Sequence, residues 1–148
     1  MKSIPLCWSY NDGGRESAGF RGTTGDCVVR AIAITSGAPY IQVYELVNRY
    51  GQMERKSKCR KGGKSSARTG VYRDTIKRIM NHLGYEWVSC MGIGTGCQTH
   101  LRRGELPMGK LIVSVSKHLV AVVDGIVQDT HDCTRSGNRC VYGYWIVK

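Results

Sequence analysis

The sequence predicts an α+β fold. Helical patterns occupy the first half of the chain and β-branched runs the second. Between two of those runs, Asp124-Gly125 reads as a two-residue hairpin turn. The expectation is a buried N-terminal helix with two further helices, all packed on an antiparallel sheet. At 148 residues and 41% hydrophobic, the chain reads as one domain, 1–148, able to bury a core. No apolar run approaches the ~20 residues needed to span a bilayer. The opening MKSIPLCWSYNDGG lacks the continuous apolar stretch of a signal peptide. A cytoplasmic protein without a membrane partner is therefore expected.

Residues 1–26 are rich in Gly, Ser and Asn and read as an irregular N-terminal segment with a turn at Asn11-Asp12-Gly13-Gly14. The first helix should begin near Asp26 and end at Gly37. Its sequence, CVVRAIAITS, is apolar almost all round, so other elements must enclose it. The second helix follows Pro39, with Tyr40, Val43, Tyr44 and Val47 as a core-facing stripe. The third is expected from about Gly70 to Leu83, with Thr69 as N-cap and Gly84 closing it. Strands follow at Tyr85–Cys90, 111–115, 119–123, 126–130 and 140–147.

Charge and cysteine content narrow the chemistry. The 22 Lys and Arg outnumber the 11 Asp and Glu, for a net charge of +11. Ten of residues 54–78 are basic, and 54–68 reads as a mobile basic loop. It is either a solvated surface or a contact for nucleic acid or an acidic protein through Lys56, Lys58, Arg60, Lys61, Lys64 and Arg68. Gly63-Lys64-Ser65 is not a phosphate loop, because Lys58 stands where the pattern needs Gly and no strand leads into it. Seven cysteines, an odd number, suggest free thiols in a reducing compartment. Cys90 and Cys97 are seven apart, as are Cys133 and Cys140, looser than the Cys pairs of zinc sites. His100 and His131 stand near them, but no metal or other cofactor is expected.

Cys27 stands at the head of the buried helix, where unpaired N–H groups and the helix dipole favour a thiolate. The bland alternative is a small cysteine that only packs. The hairpin favours the reactive reading. A turn at 124–125 pairs 123 with 126 and 120 with 129, so 118, 120, 122, 127, 129 and 131 share one face. His118 and Asp129 are then diagonal neighbours, whereas Asp132 faces away and Asp124 lies at the far end. His131 falls opposite His118 and either tunes the site or packs. A thiol, an imidazole to take and return its proton, and a carboxylate to orient the imidazole together permit acyl transfer through a thioester.

Asp26-Cys27 with its apolar helix, and His118-Leu-Val-Ala-Val-Val leading to Asp129-Thr130, resemble the papain-like cysteine peptidases. The compact bacteriocin-leader (double-glycine) peptidases are the most similar branch. The same blocks are shared with uncharacterised proteins of bacteria and their phages. The resemblance implies a papain-like fold and a peptide or protein substrate. It makes Cys27 the nucleophile, His118 the acid and base, and Asp129 the orienter. Where that family usually has an oxyanion-holding Gln, this chain has Arg21; Asn11 is the other candidate for that role. The competing expectation is a weakly catalytic or inactive module on the same scaffold. It would bind nucleic acid or an acidic protein, as a phage-encoded inhibitor of a host system would.

Overall fold

A computed structural model describes residues 4–20, 25–54, 64–92 and 94–147. It is α+β, with three helices and a six-stranded mixed sheet among these residues. Helix α1 spans Cys27–Ser36 and ends where the sequence predicts: Gly37 takes a left-handed φ of 74° and donates to the Ala33 carbonyl at 3.0 Å. Helix α2 spans Tyr40–Gln52 and turns Tyr40, Val43 and Val47 into the core. Helix α3 spans Arg73–His82 and buries Ile79 and Met80. It starts later than its periodicity predicts. Ser66 and Gly70 exchange backbone hydrogen bonds across a tight turn, and Thr69 donates its N–H to Ser66 Oγ. Thr69 is thus committed to that turn and does not cap α3.

The strands are β1 (Cys7–Tyr10), β2 (Glu86–Ser89), β3 (Lys110–Val115), β4 (His118–Val123), β5 (Ile126–Asp129) and β6 (Val141–Ile146). Their order is β1-β5-β4-β3-β6-β2. The hairpin has the predicted register, with Val123 opposite Ile126 and Val122 opposite Val127. Asp124 and Gly125 both take positive φ, 49° and 79°, as a two-residue hairpin turn requires. Strand β1 corrects two expectations: residues 1–26 are not irregular throughout, and the sheet is not purely antiparallel. It joins β5 in parallel, pairing Tyr10 with Asp129. All four of its residues are exposed, so it shows no apolar alternation to betray it.

Both faces of the sheet are covered, which explains why LIVSV and LVAVV read as nearly continuous apolar runs. Ile112, Leu119, Ala121 and Trp145 face the helices and complete one core with Val29, Ile32, Val47 and Ile79. Leu111, Val113, Val120, Val122 and Val127 face a second core, closed by Leu6, Leu101 and Cys133. The apolar character of α1 follows from its position: it packs on β3, β4, β5 and α2. No helix among the described residues is long and apolar enough to cross a membrane.

Two further expectations change. Cys97 and Cys140 form a disulfide, so the thiols are not all free; Cys7, Cys27, Cys90 and Cys133 are. Residues 64–68, the described end of the basic loop, form no helix or strand but are anchored. The Glu54 carboxylate, 6% exposed, accepts hydrogen bonds from the Ser65 N–H at 2.7 Å and from the Ser65 and Thr75 hydroxyls. Ser65 Oγ in turn accepts from the Tyr72 N–H at 2.8 Å, and Asn48 Oδ1 accepts from the Ala67 N–H at 2.8 Å. A buried carboxylate therefore ties α2, residues 65–72 and α3 together.

Gly51 is where that seam is tightest: a Cβ there would lie 2.1 Å from the Ser65 carbonyl oxygen. Helix propensity alone favours Ala over Gly by ~1 kcal/mol. Overpacking against a fixed backbone costs about 1–3 kcal/mol and acts in the opposite direction. Gly51→Ala should therefore lower stability in urea denaturation. A gain in stability would mean that residues 65–72 do not lie against α2.

Candidate active site

The site forms where the head of α1 meets the start of β4 and the end of β5. Cys27 is the first residue of α1, half-buried, and borders a cleft of about 410 Å³. The preceding Gly25 allows the close approach that brings it there. Its N–H donates to the Arg68 carbonyl at 2.8 Å, and a Cβ on it would lie 3.0 Å from the Thr69 carbonyl oxygen. The chain that Glu54 anchors is therefore one wall of the cleft. Val28, Val115, Leu119 and Trp145 supply its apolar lining, and Arg73 and Lys117 its charge.

His118 and Asp129 meet as the hairpin register requires. His118 Nε2 donates to Asp129 Oδ2 at 2.6 Å. The other two acids near the hairpin have local tasks. Asp124 Oδ1 accepts from the Gly109 N–H at 3.0 Å, and Asp132 Oδ1 accepts from the N–H and hydroxyl of Thr134 at 3.0 and 2.7 Å. Strand β1 and the turn after it hold Asp129 by its main chain: the Trp8 indole N–H and the Asn11 N–H both donate to its carbonyl, at 3.2 and 3.0 Å. With Nε2 committed to Asp129, Nδ1 is the nitrogen left to face a thiol. Two thiols, Cys27 and Cys133, act on His118 and raise its pKa. Only Cys27 borders the cleft; Cys133 is 2% exposed.

Behind this group lies an ionic network. Arg30, 6% exposed, reaches Asp129 Oδ1 at 2.6 Å with Nη1 and Asp26 Oδ1 at 3.0 Å with Nε. The same Nη1 donates to Thr130 Oγ1 at 2.9 Å. Asp26 also accepts from Arg15 at 3.2 Å and from the Tyr40 hydroxyl at 2.7 Å. Sequence reasoning missed Asp26, Arg30 and Tyr40 as site residues. The signal was present: an Arg inside CVVRAIAI must be paired if the helix is enclosed, and Asp26 sits four residues before it.

Electrostatics favour a charged thiol–imidazole pair. Burial pushes the Cys27 thiol up. Its hydrogen bond to His118, the His118 charge, the Leu119 N–H and the Arg30 charge outweigh that, so it titrates below its ordinary value. Burial likewise opposes the His118 cation. Hydrogen bonds to Asp129, Cys133 and Cys27, and the charge of Cys27, still push it up to about 11. Burial raises Asp129, but its hydrogen bond to His118, the His118 charge, the Thr130 N–H and Arg30 bring it down to about 2. Across neutral pH Asp129 is a carboxylate and His118 an imidazolium, and the Cys27 thiol is shifted toward its thiolate.

The remaining candidate residues divide. Asn11 does not line the cleft: it sits in the turn after β1, where Nδ2 donates to Gln128 Oε1 at 3.3 Å and Oδ1 accepts from the Gly13 N–H at 2.8 Å. Arg21, Lys56, Lys58, Arg60 and Lys61 lie outside the described residues. Lys64 donates to the Gln52 carbonyl at 3.0 Å, and Arg68 is exposed beside the cleft wall. His131 is 60% exposed and lies 5.3 Å from His118 between ring centroids. His118, Asp129 and His131 are close enough to share a cation, but Arg30 already holds the carboxylate, which opposes that use. No family model, no curated protein and no solved structure matches the chain.

Two measurements test this geometry. Alkylation of Cys27 by iodoacetamide should reach half its plateau rate at a lower pH than an ordinary thiol does. In His118→Ala, burial remains without its compensation, so the midpoint should move to higher pH and the rate at pH 6.5 should fall by up to about tenfold for each unit of thiol pKa regained. Identical profiles for the two proteins would rule out the thiolate–imidazolium pair. Arg30→Met should leave Asp26 and Asp129 buried and facing each other, at a cost of about 3–5 kcal/mol in denaturant unfolding. A cost below 1 kcal/mol would mean that the network does not hold the site.

Proposed function

We propose that the chain is a papain-like cysteine peptidase or a related thiol hydrolase that cleaves a peptide or isopeptide bond. The observation that carries this reading is the His118–Asp129 hydrogen bond with Cys27 on the same cleft, where His118 pulls the thiol below its ordinary value. Cys27 attacks the carbonyl carbon as a thiolate. The developing oxyanion lies against the unpaired N–H groups at the head of α1, which has no side-chain cap. His118 then gives its Nδ1 proton to the leaving amine as the C–N bond breaks, leaving a thioester on Cys27. Water enters, His118 takes its proton, and attack on the thioester releases the acid and restores the thiol pair. Asp129 holds the imidazole orientation throughout, and Arg30 acts on Asp129 as a positioning residue. An amine in place of water would make the same group an acyl transferase.

The cleft suggests the substrate class. Its apolar lining fits aliphatic or aromatic side chains, and Arg73 and Lys117 with a net charge of +11 favour an acidic segment. That charge also supports the second reading, a weakly catalytic module that binds nucleic acid or an acidic protein through the basic residues of 54–78.

Peptide mixtures rich in apolar and acidic residues, analysed by mass spectrometry after incubation, test the first reading. Cys27→Ala should reduce turnover by about a thousandfold or more, with an unchanged melting curve. Turnover at the wild-type rate in Cys27→Ala sinks the assignment. No cleavage by wild type, together with RNA or DNA binding that weakens steeply with salt, favours the module.

A further inference from the structure

A second cluster of reactive side chains lies apart from Cys27, at the start of β6. Cys97 and Cys140 are joined there across 43 residues. Cys97 Sγ lies 3.2 Å from His100 Nε2. The other ring nitrogen of His100, Nδ1, is 3.1 Å from Glu105 Oε1, which also accepts from the His100 N–H at 3.0 Å. Arg102 stands 3.6 Å from the second Glu105 oxygen. The imidazole is therefore fixed from behind, with Nε2 turned to the sulfur. A disulfide needs neither an imidazole at one sulfur nor a carboxylate behind that imidazole. A metal-binding histidine uses both: the carboxylate sets the tautomer and leaves the far nitrogen free as a ligand.

We propose that, in the reduced chain, Cys97, His100 and Cys140 bind one Zn2+-class divalent cation, and that the Cys97–Cys140 disulfide is the metal-free, oxidised form of that site. The three donor atoms lie within 4.8 Å of one another. Two thiolates and one imidazole form a ligand set suited to zinc, with the fourth position left to solvent. The chain as a whole would repel a cation at a net charge of +11. Two thiolates cancel the ion's charge, and Glu105 adds a negative charge behind the ring. The site also outlasts loss of the disulfide. Leu101 N–H donates to the Arg139 carbonyl at 3.0 Å, and Val141 N–H to the Thr99 carbonyl at 2.8 Å, so the segments carrying His100 and Cys140 stay zipped together. The loose spacing of cysteines along the sequence is no obstacle, because the ligands come from two distant segments.

The chemistry balances with a dithiol as reductant. It supplies two electrons and two protons, breaks the S–S bond and leaves as its own disulfide. Metal binding then breaks both S–H bonds, forms two metal–sulfur bonds and releases two protons to solvent. His100 contributes the Nε2 lone pair while its Nδ1–H donates to Glu105.

The test is a Co2+ titration of the full chain, reduced with dithiothreitol, desalted and kept under nitrogen. Expected are thiolate-to-cobalt absorption in the near ultraviolet, tetrahedral visible bands and one equivalent bound. The oxidised chain and Cys97→Ser, Cys140→Ser and His100→Ala should lose these bands, while Cys27→Ala keeps them. Glu105→Gln, which spares every ligand, should weaken binding about tenfold to a hundredfold. Circular dichroism on each variant identifies any loss caused by unfolding, and Glu105→Gln then decides the question. No bands in the reduced wild type overturn the proposal. So do bands that survive unchanged in Cys97→Ser and Cys140→Ser, or affinity unchanged in Glu105→Gln.

Discussion

The carboxylate of Asp129 is the point on which both the fold and the chemistry depend. Oδ2 accepts a hydrogen bond from His118, and Oδ1 accepts from Arg30 and the Thr130 N–H. Arg30 belongs to α1, His118 to β4 and Asp129 to β5, so one side chain ties the buried helix to the hairpin. The helix cannot slide without moving Asp129, and Asp129 cannot move without turning His118. Buried ion pairs seldom add much net stability, because desolvation offsets the attraction. Their value here is geometric. Arg30 occupies one oxygen so that the other has a single direction in which to accept.

The charges around this point also balance. Asp26 and Asp129 are matched by Arg15 and Arg30, and a Cys27 thiolate is matched by the His118 imidazolium. The scaffold's four charges thus cancel without the reactive pair. Protonation of Cys27 and deprotonation of His118 leave a neutral scaffold in place, so the pair can exchange a proton during a reaction without exposing a lone buried charge. Tyr40 adds a neutral donor to Asp26, which tolerates one more hydrogen bond but would not tolerate one more charge.

Much of this was legible in the sequence, for identifiable reasons. Asp124-Gly125 dictates its own turn type, the turn dictates the register, and the register brings Asp129 to His118 rather than Asp124 or Asp132. Gly37 and Pro39 bracket the junction of α1 and α2 by backbone chemistry alone. What escaped depends on contacts between distant segments. Strand β1 is exposed along its whole length, so its order comes from hydrogen bonds to β5 and not from a buried face. Arg30 was hidden inside an apolar pattern, although its burial required partners. Thr69-Gly70 reads as a helix start until the turn's own hydrogen bonds are seen to use Thr69. The Cys97–Cys140 pairing crosses 43 residues, and no local spacing encodes it.

The choice of Cys27 over Cys133 as the reactive thiol shows how these constraints combine. Both raise the pKa of His118, so the imidazole does not discriminate between them. Cys133 lies in the second core beneath the sheet, packed among Val113, Val120 and Val127, where no carbonyl can approach it. Cys27 has the positive end of α1 beneath it, the Leu119 N–H beside it and the cleft in front. A thiolate is stabilised by the first two and made useful by the third. Thr69, Gly70 and Val71 line the cleft on a segment that Glu54, far from the sulfur in sequence, anchors at Ser65, and Gly25 lets that segment pass close to the head of α1. The setting of Cys27 is thus a property of how α2, the 65–72 segment and the hairpin are assembled, more than of any residue adjacent to it.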